Sequence, residues 1–408
     1  MKNTTQTTFL PVALFSRLSR FVLRLLGVQK DQPVESIKVN IDLCLAQAMR
    51  RAQRYADMAL PKALLQAFSV EPLAAGEALL VERKEQSGRL LAALDMWRTG
   101  HGSMVVVSGP QGSGISTFLQ QLATQVGDHE TWRYGELTHR PYDISDSLAQ
   151  VCAIVGCEQP VDSVEQLLEY LNGMAPSVIA IDNGHFLACR IMGANEAIRV
   201  FGAVMVATQQ RHFWVLGCEQ YAWRRLAYIY RADRFFSEQI ELPLFSEAEL
   251  GECLTTRLQA SGIKLDTATT TDHPQSPPAL ARQLTTLHRL SNGKPDFAFF
   301  YLLGALIIDE DKLWDIQPLV ELDFSLLKQL ISEELFTLAE VAAHGQLNID
   351  DHRAIFRCSR EESWLLLERL YHQCLLDRND TDDEPVYQLV PVYSDVITRF
   401  LNNANYLY

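Results

Sequence analysis

One glycine-rich loop constrains the fold of this chain more than any other feature. It follows residues 104–108, a β-branched run typical of a buried strand, and precedes residues 118–126, whose apolar spacing predicts a helix. Gly109, Gly112 and Gly114 fit the frame G-x-x-x-x-G-K-[ST], in which backbone N–H groups converge on phosphate oxygens. The sequence therefore predicts a strand, a loop and a helix that together cradle phosphate.

The lysine of that frame is replaced by Ile115. A lysine there brings a positive charge to the β- and γ-phosphates, and isoleucine cannot. Losing one transition-state donor costs other enzymes about 2.7–4 kcal/mol, so we predict little or no ATP hydrolysis. The residues predicted to line a nucleotide site are Gly109, Gly112, Ser113, Gly114, Ile115, Ser116 and Thr117. Ser116 is also predicted to hold magnesium if a nucleotide binds.

Strands and helices are expected to alternate around this loop. Residues 177–182 and 212–216 are two more buried-strand candidates, and the helical stretches 163–171 and 194–210 precede them. A further helix is predicted at 76–100, directly before the first strand. This alternation predicts an α/β fold with a parallel sheet covered by helices on both faces.

Asp182 ends the second predicted strand, where the Walker B aspartate of P-loop enzymes orients magnesium through water. Asn183 follows it, where a glutamate would polarise the attacking water. An amide cannot act as a base, so this position also argues against hydrolysis. Asp182 could instead be a turn residue at the strand end.

The order of these motifs resembles the AAA+ ATPases, particularly the branch of origin-recognition proteins, transposition regulators and secretion-type ATPases. The resemblance covers roughly residues 77–408. It implies that Arg234 is the arginine finger, although a surface or interface ion pair would equally account for it. At the sensor-2 turn Asp296 replaces the usual basic residue, and Lys294 could compensate. His185 is expected to be structural or sensor-linked rather than a metal ligand.

Four departures from that family remove groups that act on the γ-phosphate. They are Ile115, Asn183, Asp296 and the absence of a clear sensor-1 residue near positions 217–219. The pattern predicts a pseudo-ATPase that binds ATP or ADP with magnesium, or no cofactor, and serves as a scaffold or regulatory subunit. Two alternatives stay open: an active ATPase or one completed by a partner, and a DNA-associated loader or initiator-like module.

Five segments are predicted along the chain. They are a basic amphipathic segment at 1–34, a helical accessory region at 35–75, the AAA+ core at 76–245, a helical lid at 246–318 with a polar loop at 265–278, and a winged-helix-like domain at 319–408. The last of these should hold helices at 335–344, 350–356 and 360–371, followed by a hairpin.

The N-terminal segment is apolar over residues 9–30, and Arg17, Arg20 and Arg24 fall on one side of a helix. Such a helix could lie on a membrane surface, dock on an acidic partner or another copy of the chain, act as a signal-like segment, or be structural. The prediction is a cytoplasmic protein that this segment could bring to the inner face of a membrane.

Charge argues against nucleic acid as the main partner. The whole chain carries a formal net charge of −14, and residues 331–408 contain 14 acidic and 6 basic residues, a net of −8. Arg353, Arg357 and Arg360 could still form a small basic face. A protein partner, in a homo- or hetero-oligomer, is therefore predicted. The eight cysteines lack the paired spacing of a zinc site.

Overall fold

The computed structural model describes residues 37–41, 43–44, 46–47, 60–188, 190, 196–263, 278–308, 314–380 and 384–407. The predicted basic segment 1–34 and nearly all of the polar loop 265–278 lie outside the described residues, so those predictions stay untested. Within the described residues, no helix is both long and apolar enough to span a bilayer.

The strands and helices are as follows. The strands are β1 Ile37–Ile41, β2 Met104–Gly109, β3 Thr131–Glu136, β4 Ser177–Asp182, β5 His212–Glu219, β6 Glu238–Glu241, β7 Leu306–Ile308, β8 Trp314–Ile316, β9 Val320–Leu322, β10 Gln346–Asn348, β11 Leu376–Asp380 and β12 Pro385–Leu389. The helices are α1 Lys62–Ala67, α2 Lys84–Arg98, α3 Ile115–Gln121, α4 Ile144–Val155, α5 Val164–Gly173, α6 Glu196–Thr208, α7 Gln220–Tyr230, α8 Glu247–Ala260, α9 Pro278–Ser291, α10 Pro295–Ala305, α11 Ser332–His344, α12 Ile349–Phe356, α13 Arg360–His372 and α14 Ser394–Asn403.

The chain divides into two compact units. One comprises the described residues within 1–70 and 246–326, and the other comprises the described residues within 71–245 and 327–408. The second unit holds the glycine loop. The division into five segments remains a prediction.

A five-stranded parallel sheet forms the centre of the second unit, in the order β3-β4-β5-β2-β6. Successive residues of a strand face opposite sides of a sheet. Met104 and Val106 of β2 accordingly pack into one buried apolar cluster, while Val105 and Val107 pack into another on the opposite face. The predicted α/β fold, with helices on both faces of a parallel sheet, is confirmed.

Two parts of this sheet region differ from the sequence prediction. The helix expected at 76–100 begins only at Lys84. Before it, Leu73 N–H donates to Thr117 Oγ1 at 3.1 Å and Gly76 N–H donates to Gln121 Oε1 at 3.1 Å, so this backbone bonds to α3 instead of forming a helical turn. Strand β3 was not predicted, because it lies at the sheet edge and lacks a continuous apolar run.

The C-terminal part of this unit contains three consecutive helices, α11, α12 and α13, and an antiparallel sheet in the order β10-β12-β11. The three helices and the hairpin agree closely with the elements predicted for this region. Helix α14 follows and was not predicted.

The first unit has two small sheets. Strands β1 and β9 pair in parallel, and β7 and β8 pair in antiparallel fashion. The region 35–75, expected to be helical, therefore contains a strand, and the alternating β-branched residues of IKVNI account for it. Helices α8, α9 and α10 occupy the region predicted as a helical lid.

Candidate phosphate-binding site

The glycine loop emerges from the carboxyl end of β2, which lies between β5 and β6. The connection after β2 leads to β3 on one side and the connection after β5 leads to β6 on the other. Open parallel sheets bind ligands at the carboxyl ends of strands where the connections diverge in this way. The loop therefore occupies the expected position of a ligand site.

Glycine is required at three positions of this loop. Gly112 has φ +84° and Gly114 has φ +91°, in the left-handed region. A Cβ on Gly109 would meet the carbonyl oxygen of Leu242 and would lie 2.6 Å from Ser113 Oγ. These constraints keep the loop narrow and its backbone uncovered by side chains.

The hydroxyl groups of the loop differ in their surroundings. Ser113 is 3% exposed, and its Oγ has no hydrogen-bond partner within the described residues. Such an unsatisfied buried hydroxyl costs free energy unless a ligand or water bonds to it. Ser116 is half-buried, and Thr117 Oγ1 accepts the Leu73 N–H. The glycines and Ser113 thus fit an anionic oxygen, although the lysine is missing.

Ile115 fills the place of the lysine with hydrocarbon. Its side chain packs against the buried cluster that contains Val107 and Val215. A Cβ on Gly217 would lie 2.8 Å from Ile115 Cγ2 and 2.7 Å from Leu119 Cδ1. The position at the end of β5 where a sensor-1 side chain was sought can therefore hold only glycine beside this isoleucine.

The carboxylate of Asp182 is buried at the end of β4, and both its oxygens accept hydrogen bonds. Oδ1 accepts the Asn183 N–H at 2.7 Å, and Oδ2 accepts the Tyr134 hydroxyl at 2.9 Å. Burial and the nearby Asp182 carboxylate strongly raise the pKa of Tyr134, so the phenol stays protonated as a donor. Glu136 Oε1 lies 3.2 Å from the same hydroxyl.

Tyr134 and Glu136 were not singled out from the sequence. They are two residues apart on β3, so they share one face of the strand, and Glu136 is the register partner of Asp182. In the sequence, only the spacing of two residues between Tyr134 and Glu136 indicated that their side chains share a face. It did not indicate a site, because Asp182 lies on a different strand.

Asn183 is held as a turn residue. Its φ is 57°, a left-handed conformation that asparagine tolerates better than most residues. Its Nδ2 donates to the carbonyl oxygen of Leu137 at 3.2 Å. The side-chain amide therefore stabilises the turn after β4, and it has no acid or base function there.

Arg234 lies in the short 3-10 turn Ala232–Arg234 that follows α7, and it is exposed. Tyr228, Ile229 and Phe235 beside it are also exposed, at 83%, 53% and 45%. No recorded contact within the described residues links Arg234 to the glycine loop. Its predicted role as an arginine finger stays a prediction.

Lys294 belongs to the other unit, at the start of α10. It is fully buried, and its Nζ lies 3.6 Å from a carboxylate oxygen of Asp296. The lysine thus has an anionic neighbour two residues further along the chain, in the first turn of α10. Its predicted role on a nucleotide remains a prediction.

The C-terminal helices contact the turn that follows Asp182. A Cβ on Gly345 would lie 2.6 Å from His185 Nε2, so the imidazole ring rests on this glycine. Burial lowers the pKa of His185 to about 4, and the nearby His344 contributes. His185 is therefore a neutral structural side chain.

A buried carboxylate also links α11 to the segment after β4 and to α7. Glu340 of α11 is 4% exposed and accepts hydrogen bonds from Arg190 and, at 3.0 Å, from Arg225 Nη1 of α7. Arg140 and Asp351 form a second ion pair between the sheet region and α12. A small cleft nearby is lined by Pro110 and Gln111 of the loop on one side and by residues of α11 and α14 on the other.

No family model matches this sequence, and the search of curated proteins returns no match. Among solved structures, the chain is similar to the ORC2 protein of Aeropyrum pernix (ADPNP-ADP complexes), with 13% identity, coverage of 83% of this chain and 96% of that chain, and a TM-score of 0.48. It is similar to the A. pernix ORC1 protein in complex with DNA, with 13% identity, coverage of 83% and 97%, and a TM-score of 0.46. It is also similar to a Walker-type ATPase of Pyrococcus abyssi, with 12% identity, coverage of 81% and 99%, and a TM-score of 0.43.

The parallel sheet and the glycine loop described above agree with the fold that the resemblance to AAA+ P-loop proteins implies. The likeness does not extend to activity or partners, which depend on this chain's own residues.

Proposed function

We propose that this chain is a pseudo-ATPase of the AAA+ type, which binds ADP or ATP at the glycine loop without efficient hydrolysis. The packing of Ile115 beside Gly217 is the main support, because it places hydrocarbon where a cation and a sensor side chain would act on phosphate. The cradle itself is retained at Gly109, Gly112 and Gly114.

The proposed role of the protein is that of a scaffold or regulatory subunit in a protein assembly. Trp364 and Leu365 of α13 are exposed, at 48% and 59%, and Glu361 and Glu362 precede them. Arg360 at the start of this helix is paired with Asp350 and Glu384. An exposed apolar pair among carboxylates suits a protein partner, whereas DNA requires available cations.

The remaining predicted site residues are included in the proposal. Arg234 would face a neighbouring subunit of the assembly, and Lys294 would approach a bound nucleotide. Ser116 and Asp182 are the residues that would hold magnesium. Both oxygens of Asp182 already accept hydrogen bonds, so the fit for a metal is poorer than the fit for phosphate.

Thermal melting with nucleotide and steady-state turnover test this proposal together. Saturating ADP or ATP should raise the melting temperature, since a ligand at 100 times its Kd stabilises the folded state by about 2.7 kcal/mol. ATP turnover should stay at the background rate in the natural chain, and Asp182→Ala should not change it. The matched variant Ile115→Lys should not restore turnover, because Asn183 still replaces the glutamate and Gly217 still provides no side chain.

Three outcomes would each decide against a part of the proposal. Turnover that Asp182→Ala abolishes would establish an active ATPase, the main alternative. If millimolar nucleotide does not change the melting temperature, the proposed nucleotide binding is wrong and only the proposed scaffold role is left. Salt-sensitive binding to duplex DNA would favour the DNA-associated alternative over a protein partner.

A further inference from the structure

We propose that the loop takes a nucleoside diphosphate without a magnesium ion, because the Tyr134 hydroxyl and the Asn183 N–H already bond to the two carboxylate oxygens of Asp182 and would compete there with a magnesium-bound water. This inference rests on the proposed function, since it concerns the ligand of the same loop. It follows from three features of the described residues: the bonding of Asp182, the charge at the sheet edge and the shape of the loop.

The first feature is the hydrogen bonding of the Asp182 carboxylate, each of whose two oxygens accepts one hydrogen bond. Tyr134 donates to Oδ2 at 2.9 Å, and the backbone of Asn183 donates to Oδ1 at 2.7 Å. Magnesium demands nearly octahedral geometry with most of its waters retained, and it is usually held by one or two carboxylates together with phosphate oxygens. At Asp182 Oδ2 such a water would compete with the Tyr134 hydroxyl.

The second feature is the negative charge at the carboxyl ends of three neighbouring strands. Glu136, Asp182 and Glu219 end β3, β4 and β5, and Glu219 is the register partner of Gly109. A γ-phosphate that extends toward this edge brings further negative charge next to these carboxylates. The loop has no lysine to offset that repulsion, so a triphosphate without a metal ion is disfavoured.

The third feature indicates that the loop still takes an anion. Ser113 Oγ is buried and has no partner within the described residues, while the glycines leave the backbone of the loop open. Ile115 and Leu119 close the space beside Gly217, next to Asp182. A diphosphate that lies along the loop would bond to Ser113 and to the loop backbone. It would not need the space beside Gly217.

Isothermal titration calorimetry of the full chain with ADP and with ATP tests the inference, each titration in EDTA and again in excess Mg²⁺. The Kd for ADP should agree within about twofold between the two conditions, and ATP in EDTA should bind at least tenfold more weakly than ADP. Tyr134→Phe releases the Asp182 oxygen, so ADP binding by this variant should become severalfold tighter with Mg²⁺. Tyr170→Phe is the matched control, because its hydroxyl donates to the Gly156 carbonyl oxygen, away from the loop.

Mn²⁺ provides a direct second readout through its electron paramagnetic resonance signal. The free-ion signal should persist when Mn²⁺ is added to the natural chain with ADP, and it should decrease with Tyr134→Phe and ADP. ADP binding by the natural chain that tightens tenfold or more with Mg²⁺ would overturn this inference and leave the proposed function standing. Failure of both nucleotides to bind under any condition would overturn the proposed function, and the inference with it.

Discussion

Ile115 Cγ2 lies so close to Gly217 that any side chain at position 217 would collide with it, since a Cβ there would be only 2.8 Å away. The isoleucine at the lysine position and the glycine at the sensor position therefore depend on each other. The missing side chain at position 217 leaves the space that the Ile115 side chain fills.

Gly217→Ala should lower the free energy of unfolding by about 1–3 kcal/mol, because overpacking a filled core costs this much. Urea denaturation measures it. Gly202→Ala on α6 is the control, since a Cβ there meets nothing within 4 Å and alanine favours a helix. Ile115→Ala removes the Cγ2 methyl, so Gly217→Ala should cost less in an Ile115→Ala background than in the natural chain. Strict additivity of the two substitutions would contradict the contact.

Acidification should destabilise the protein between about pH 6.5 and pH 4. Burial lowers the pKa of His185, His344 and His352 to about 4 in the folded chain. The unfolded chain binds protons at these residues from about pH 6.5 downward, while the folded chain does not. The free energy of unfolding should therefore be unaffected by these histidines above about pH 6.5. It should fall as the pH decreases from about 6.5 to about 4, by on the order of 3 kcal/mol for each histidine.

Urea midpoints at pH 7.5, 6 and 5 measure this effect. His352→Gln should flatten the pH dependence, whereas His129→Gln, at an exposed position, should leave the slope unchanged. A stability that is constant from pH 7.5 to pH 5 would show that these imidazoles accept protons in the folded state.

Glu340→Gln should loosen the contact between α11 and the turn after β4. The carboxylate is buried, and Arg190 and Arg225 both donate to it, so its removal leaves cations without their partner. Breaking a buried pair in this way costs up to about 3–5 kcal/mol. Hydrogen exchange of the Gly184–Leu187 amides should accelerate at least tenfold. Glu361→Gln on the exposed face of α13 is the control, and equal exchange in both variants would rule out the predicted coupling.

Removal of residues 1–34 should abolish sedimentation with anionic vesicles if the basic apolar segment binds membrane surfaces. Each lysine or arginine near an anionic surface contributes about 1 kcal/mol, and the apolar face contributes separately. Replacing Arg17, Arg20 and Arg24 with Gln should therefore weaken binding without abolishing it. Equal sedimentation of the full and shortened chains would exclude this role.

The sequence predicted the parts of the site that depend on local pattern. The strand before Gly109 and the strand that ends at Asp182 are continuous apolar runs, and they occur where they were expected. The loop glycines were recognisable because their spacing alone encodes the turn. These features need only neighbouring residues to form.

The features that were missed depend on residues far apart in the chain. The bond from Tyr134 to Asp182 joins two strands, and the contact of His185 with Gly345 joins the sheet to the C-terminal helices. Glu340 gave no signal either, because its arginine partners are more than a hundred positions away. Packing, rather than periodicity, decides these contacts, so a single sequence does not reveal them.

Gly345 has no room for a side chain because the imidazole of His185 covers it, and its φ of 76° already suits glycine alone. A shift of the turn after Asp182 by a few tenths of an ångström must therefore push on the end of α11. The turn and the C-terminal helices therefore move as one, and a single imidazole passes a displacement at the end of β4 on to α11.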